Sequence, residues 1–190
     1  MTESPRPRGR LQLAVIALVF LGPLVLATWM YTSGRLAPSG RSNHGELLEP
    51  IVNLREALPD SPVVPLADGH WLMLYANSGD CTTECRDALY RQRQTRLMVG
   101  REMDRIHRVF LHGNTAPDTL FLEREHPGLI TIRDSDLAAL LEGKRPTHTM
   151  PGGIYLIDPL ANLVMYFPPG LGPRELVDDV KHLLRLSRIG

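Results

Sequence analysis

Cys81 and Cys85 are the two cysteines of the chain, and both lie in the stretch SGDCTTEC, residues 78–85. Sulfur at this spacing can serve as a structural disulfide, as a redox couple or as half of a metal site. If the segment from Cys81 is helical, residues four apart share one face. A helix N-terminus carries partial positive charge and favours thiolate over thiol. Such sulfur is nucleophilic, and it is also a soft metal ligand. A thioredoxin-type redox pair has two intervening residues. Here Thr82, Thr83 and Glu84 intervene, a spacing that still permits a disulfide. A merely structural disulfide would close a very short loop and contribute little through chain entropy. Soft thiolates select Cu(I), but two rarely complete a site, so a third ligand is expected from elsewhere.

His148 is the candidate third ligand. It lies in PTHTMPGGIYLID, just before a predicted strand, and Met150 in the same stretch is a softer alternative. Pro151 is a candidate cis-proline, a bond found in tight turns. The other histidines, His44, His70, His107, His112, His126 and His182, fit surface positions. A second group of residues is basic: Arg86, Arg91, Arg93, Arg96, Arg101, Arg105 and Arg108. Glu84, Asp87, Glu102 and Asp104 interleave with them, which predicts a solvated face. The sharper alternative is a docking surface for an acidic partner or anionic lipid.

The elements that must position these residues follow from the pattern. His70–Ala76 is a near-continuous apolar run and predicts a buried strand. Cys81 to about Met98 predicts a helix with Asp80 as N-cap. Arg105–His112 predicts a second strand. Ala116–Glu125 predicts a short helix with Pro117 near its start, and Gly128–Ile132 a short strand. Asp134–Gly143 predicts a helix capped by Asp134 or Ser135 and stopped by Gly143. Gly153–Phe167 predicts a hairpin around Asp158–Asn162. In the last helix, Gly172–Leu186, Pro173 fits the first position. Leu176, Val177, Val180, Leu183 and Leu184 give that helix an apolar face. This order predicts an α/β fold, a mixed sheet with helices on both faces. Chemistry is expected at the C-terminal ends of its parallel strands, where Cys81 falls.

The 190 residues carry 21 Lys and Arg against 21 Asp and Glu, a formal net charge of zero. Nucleic acid is not an expected partner, since that needs a basic excess. Leu11–Tyr31 has no charged residue and matches the roughly 20 residues of a transmembrane helix. Trp29 and Tyr31 stand at its end, and Arg6, Arg8 and Arg10 precede it. The positive-inside rule then keeps the N-terminus in the cytoplasm and exports the rest. The run exceeds a usual signal-peptide core and lacks a following small-x-small site, so an uncleaved anchor is expected. Gly22-Pro23 is a candidate kink. Outside the cytosol a lone cysteine pair tends to oxidise. Thr32 to about Pro65 predicts a tether. Its second half, broken by Pro50, Pro59, Pro62 and Pro65, predicts extended edge structure.

With these residues in hand, the chain resembles the Sco/SenC family of copper chaperones. These are membrane-anchored thioredoxin-like domains that act in building the copper site of cytochrome c oxidase. The resemblance spans roughly residues 45–190. It rests on the anchor, on HWLMLYANSGDCTTEC, on His148 before IYLIDP, and on the closing hairpin and helix. HGELLEP and LLRLSRIG further resemble small bacterial inner-membrane proteins associated with oxidase assembly factors. The cysteine motif departs from the family's in Thr82, Thr83, Glu84 and Arg86, where proline and aromatic residues are usual. The loop from His148 also carries an additional Pro-Gly-Gly.

The resemblance implies a thioredoxin-like mixed sheet with flanking helices, behind one transmembrane helix. The expected divisions are a cytoplasmic N-terminus (1–10), a membrane helix (11–31), a tether and edge segment (32–65) and the thioredoxin-like domain (66–190). It implies Cu(I)/Cu(II) as the metal, with Cys81, Cys85 and His148 as ligands. It also implies a single-pass bacterial inner-membrane protein with a periplasmic domain. The expected partner is a copper-receiving oxidase subunit or another oxidase assembly factor. Two alternatives stand beside the metallochaperone. One is a thiol-disulfide oxidoreductase with Cys81 and Cys85 as catalytic residues. The other is a membrane-bound scaffold whose cysteines form a static disulfide.

Overall fold

The structure, a computed structural model, describes residues 7–33, 43–115 and 117–187. Arg6 and residues 34–42 of the expected tether lie outside the described residues, as does the end of LLRLSRIG. The chain divides into two units, Met1–Ser42 and Asn43–Gly190, and each is described by itself.

Among the described residues, the first unit is one helix, α1 (Pro7–Ser33), continuous through Pro23. Its apolar stretch Leu11–Met30 rises about 1.5 Å per residue, or roughly 30 Å, the thickness of a bilayer's hydrocarbon core. A helix satisfies its backbone polar groups internally, as a lipid environment requires. The Thr28 hydroxyl donates back to the Leu24 carbonyl at 2.8 Å and the Thr32 hydroxyl to that of Thr28 at 2.9 Å. These two hydroxyls are therefore bonded within the helix itself.

The second unit runs β1 (Glu46–Asn53), α2 (Leu54–Ala57), α3 (Val63–Leu66), β2 (Trp71–Asn77), α4 (Thr83–Val99) and a 3-10 turn (Gly100–Arg105). It continues with β3 (Ile106–His112), α5 (Thr119–Glu125), β4 (Leu129–Ile132), α6 (Ser135–Lys144), β5 (Ile154–Ile157), β6 (Asn162–Phe167) and α7 (Pro173–Leu186). The six strands stand in the order β1-β6-β5-β2-β3-β4. β2, β3 and β4 are parallel, while β5 is antiparallel to both β2 and β6. This is the expected mixed sheet.

The apolar run of β2 is continuous because both faces of the sheet are covered. Successive side chains on a strand point to opposite faces. Leu72 and Leu74 join a core with Leu54, Val63, Leu137 and Leu141, from α2, α3 and α6. Trp71 and Met73 pack instead with Val99 of α4 and with Leu176, Val180 and Leu184 of α7. Tyr75 packs with Ala88 and Leu89 of α4 and Leu122 of α5. The periodicity of α7 therefore finds its partner as expected. Gln92 is fully buried between α4 and the sheet, and its amide donates to the carbonyls of Met73 and Val109 at 2.5 and 3.1 Å.

Several boundaries differ from expectation. α4 starts at Thr83 with Thr82 as N-cap. Asp80 lies in the preceding turn, where its carbonyl accepts from the Thr82 amide at 2.9 Å. α6 continues through Gly143 to Lys144. Residues 43–65 belong to the folded unit. β1 is its edge strand, paired antiparallel with β6, and the register slips between Leu47 and Val52, so Pro50 falls in an edge irregularity that needs no ladder amide. The proline-rich segment after β1 forms α2 and α3 in place of extended chain. The Asn53 side chain accepts from the amides of Arg55 and Glu56, and Leu54 is fully buried. Pro62 and Pro65 fall at the start of α3, where amides have no helical partner in any case. The start of β1 is held by α7: Asp179 Oδ2 accepts from the amides of His44 and Gly45, both at 2.8 Å.

Candidate redox and metal site

The ends of β2 and β3 meet the start of β5 at one edge of the sheet, with Asn77 opposite His112 and Tyr75 opposite Ile154. Asn77 organises the loop that leaves β2. Its side-chain amide donates to the carbonyls of Gly79 (3.3 Å) and Asp80 (3.1 Å), and its backbone carbonyl accepts from the Gly113 amide at 3.0 Å. The loops after β2 and β3 touch so closely that a Cβ on Gly113 would run into the Ser78 backbone.

This loop delivers Cys81 to the head of α4, and Cys85 follows in its first turn. The two are joined by a disulfide, with Cα atoms 5.0 Å apart. Their surroundings differ. Cys81 is partly exposed, whereas Cys85 is 1% exposed and packed among Tyr75, Ala88, Leu89 and Phe110. An incoming thiolate can reach the first sulfur and not the second. A thiolate released at either position lies by the unpaired amides of the first turn of α4, which favour negative charge. Glu84 stands between the two cysteines. The Thr82 hydroxyl, 2.5 Å from Glu84 Oε2, holds its carboxyl below the usual range. Burial pushes the nearby Tyr75 phenol up to about 12, so it stays neutral.

A cavity of about 170 Å³ opens beside Cys81, walled by Arg86, Phe110, His112, Asp118 and Phe121. The Arg86 guanidinium lies 4.6 Å over the Phe121 ring. A larger cleft of about 940 Å³ opens along the ends of β2 and β3 towards α6, with Asn77, Asn114 and Asp134 in its walls. His112 lines both spaces. Its Nδ1 is 2.9 Å from the Gly113 carbonyl. A carbonyl only accepts, so Nδ1 is the donor in this bond. Sequence reasoning placed His112 among surface histidines. The signal that could have found it is its place as the last residue of the strand parallel to β2, level with the residue that starts the cysteine loop.

His148 sits in the loop between α6 and β5. Its ring is 66% exposed and its Nε2 lies 3.4 Å from Glu46 Oε1 on β1, a strand separated from β2 by β6 and β5. Met150 is 72% exposed. The loop is anchored by Tyr166, whose hydroxyl accepts from the Gly153 amide at 3.0 Å and donates to the Met150 carbonyl at 2.5 Å. Arg145 adds a bond to the Thr149 carbonyl at 2.6 Å. The structure thus brings Cys81 and Cys85 together and sets His148 against Glu46. Among the described residues, no three His, Cys, Asp or Glu side chains gather into a group that could hold a metal ion. The expected cis bond at Pro151 is not found, and the cis bond among the described residues is Glu49–Pro50. The chain turns before β5 at Gly152, whose φ of 86° suits a glycine.

His126, expected at the surface, is buried to 3% exposure. Burial, with the charges of Arg93 and Arg108, pushes its imidazole down to about 4. His70 and His107 stack with ring centres 4.0 Å apart, and burial followed by the His70 charge lowers His107.

Comparison with known proteins supports this architecture. Copper-bound ScoI of Arabidopsis thaliana superposes with a TM-score of 0.53 at 20% identity, covering 65% of this chain and 88% of that one. Copper-bound yeast Sco1 gives 0.52 at 16% identity, covering 65% and 80%. Apo Sco1 of Thermus thermophilus gives 0.51 at 15% identity, covering 73% and 90%. At such identities these likenesses establish a shared fold. Comparison with curated protein sequences finds no match. The profile described as a transmembrane-like N-terminal domain matches residues 4–34, the segment that contains α1. The profile described as a transmembrane-like, thioredoxin-like C-terminal domain matches residues 71–187, from the start of β2 to beyond α7. Sheet, helices and sequence profiles agree, and the chain belongs to the transmembrane-like, thioredoxin-like family.

Proposed function

We propose that this protein is a membrane-anchored thiol- and copper-handling factor that serves the assembly of a respiratory cytochrome c oxidase. The observation that carries the proposal is the asymmetry of the cysteine pair: an accessible Cys81 joined to a buried Cys85 at the head of α4. A partner thiolate attacks Cys81 Sγ, the Cys81–Cys85 bond breaks, and Cys85 leaves as thiolate. A second partner thiol then attacks the partner's sulfur in the mixed disulfide, leaving the partner oxidised and Cys81 and Cys85 reduced. Run in reverse, the same steps reduce a partner disulfide.

Copper is the cargo in this reading. The reduced pair supplies two soft sulfurs at the head of α4, a donor chemistry that suits Cu(I). His148, the third ligand implied by the Sco/SenC resemblance, is engaged with Glu46 in the disulfide form, and binding would require it to leave that contact. The copper-bound state of the Arabidopsis and yeast relatives supports the cargo, and the Sco/SenC resemblance supports an oxidase subunit or assembly factor as receiver. α1 would hold the domain at the bacterial inner membrane, with the three N-terminal arginines inside and the domain in the periplasm. Protease added to spheroplasts should then digest the domain, and its protection would overturn that topology.

The deciding experiment is thiol trapping of the full chain across a series of dithiol buffers, followed by Cu(I) titration of the reduced protein. A reversible redox transition with one Cu(I) bound per chain, lost in both Cys81→Ser and Cys85→Ser, supports the proposal. A reversible transition without copper uptake leaves the oxidoreductase. A disulfide that resists reduction in the folded protein leaves the scaffold.

A further inference from the structure

β3 carries one residue that its alternation does not explain. Ile106, Arg108 and Phe110 point to the same face of the sheet, the one beneath α4, and their exposures are 0%, 4% and 2%. A guanidinium stands where the pattern calls for an apolar side chain. Its Nη2 donates to the Pro127 carbonyl at 2.5 Å, but its Nη1 is buried without a hydrogen-bond partner. A buried charged donor left unpaired is costly unless something satisfies it.

The surroundings deepen the imbalance. Arg108 forms one wall of a cleft of about 380 Å³, with Arg93 and Arg96 of α4, Arg124 of α5, Leu97 and Pro127 around it. No carboxylate is among the residues that line this cleft. Two acidic groups stand outside it: Glu125 lies 4.0 Å from Arg93 and 3.0 Å from Arg124, and Asp104 lies 3.3 Å from Arg96. Asp104 and Glu125 are themselves solvated, at 84% and 43% exposure, so water screens their effect on the cleft. Burial, then Arg96 and Arg93, push the Arg108 guanidinium down to about 10. His126, on the same side, is neutral above about pH 4 and supplies no negative charge.

We propose that this four-arginine cleft binds a phosphate group, with Arg108 as its buried fork and Arg93, Arg96 and Arg124 around its mouth. Guanidinium forks match the paired oxygens of a tetrahedral oxyanion and hold it by two parallel bonds. The site is distinct from the cysteine pair. Cys81 and Cys85 open towards the ends of β2 and β3, whereas Arg108 pairs with Leu129, the first residue of β4, at the other end of the parallel register.

The test uses the full chain in a non-ionic detergent and follows ³¹P line broadening with two probes, inorganic phosphate and sn-glycerol 3-phosphate. Saturable broadening that weakens with added sodium chloride is expected. Arg96→Gln and Arg124→Gln should each weaken binding about tenfold, the loss of one charge-assisted bond. Arg124 is 78% exposed, so its replacement leaves the fold intact. Arg108→Lys should weaken binding while keeping the charge, because an ammonium lacks the fork. Tighter binding of the glycerol ester assigns the site to a phosphate ester such as a lipid headgroup, and equal or tighter binding of inorganic phosphate assigns it to the free anion. The proposal is overturned if neither probe shows saturable binding, or if Arg96→Gln and Arg124→Gln titrate as the wild type does.

Discussion

The two ends of α4 perform opposite electrostatic tasks. At its head, Cys85 is buried among apolar and aromatic side chains, and Cys81 packs against the same cluster. The positive pole of the helix is left free to act on sulfur. Towards its tail, Arg93 and Arg96 stand over buried Arg108, and the negative pole of the helix offsets some of that charge. Gln92, between the ends, hydrogen-bonds two sheet carbonyls with its amide and brings no charge to the middle. One helix can thus hold a cysteine pair and a cationic cleft without either cancelling the other, because each lies by the pole of the helix that suits it.

The sharpest way to break this contrast is at the head. Cys81→Ser should abolish all exchange with a small disulfide, because the remaining sulfur is buried. Cys85→Ser should leave Cys81 trapped as a stable mixed disulfide. Non-reducing mass analysis distinguishes the two, and the opposite pattern would make Cys85 the nucleophile.

The tail is probed by acid. The His126 imidazole titrates near 4 in the folded chain, against about 6.5 when unfolded. The unfolded state therefore binds its proton first as pH falls. The stability tied to the neutral ring is complete above about pH 6.5 and is lost progressively towards pH 4, a change of up to about 3 kcal/mol. His126→Phe should flatten that part of the curve in chemical denaturation at several pH values. An unchanged slope would show that the ring does not titrate there.

Two smaller changes test the loop that carries His148. Tyr166→Phe removes the hydroxyl that accepts from the buried Gly153 amide. Leaving that donor unsatisfied should cost about 1–3 kcal/mol, visible as a lower denaturation midpoint. Glu46→Gln removes the carboxylate that lies 3.4 Å from His148 Nε2 and should change stability by less than about 1 kcal/mol. A larger loss would mean that the pair holds the loop in place.

Much of this was legible in the residues. The uncharged run from Leu11, the buried strand at Trp71–Asn77, the amphipathic final helix and the cysteines at a strand-to-helix junction are local patterns. Period, capping and turn chemistry act over a few residues, so they can be read without a fold. The limits of that reading appear where the cap falls two residues later than the acidic candidate, at Thr82 and not Asp80, and where a proline begins a helix, as at Pro62.

What only the tertiary structure decided concerns residues distant in sequence. Spacing places Cys81 and Cys85 together, but the burial of Cys85 also needs Tyr75 of β2, Phe110 of β3 and Leu122 of α5, which only the fold brings to it. His148 stands just before β5, as its sequence position implies, yet its contact is Glu46, because β1 adds to the sheet beyond β6. His112 reaches the cysteine cavity because β3 lies parallel to β2 in full register. Arg108 looks like one member of a solvated basic stretch until α4 closes over its face of the sheet. Whether a charge faces water or protein depends on what the chain folds over it, and that is a property of packing and not of neighbours in sequence.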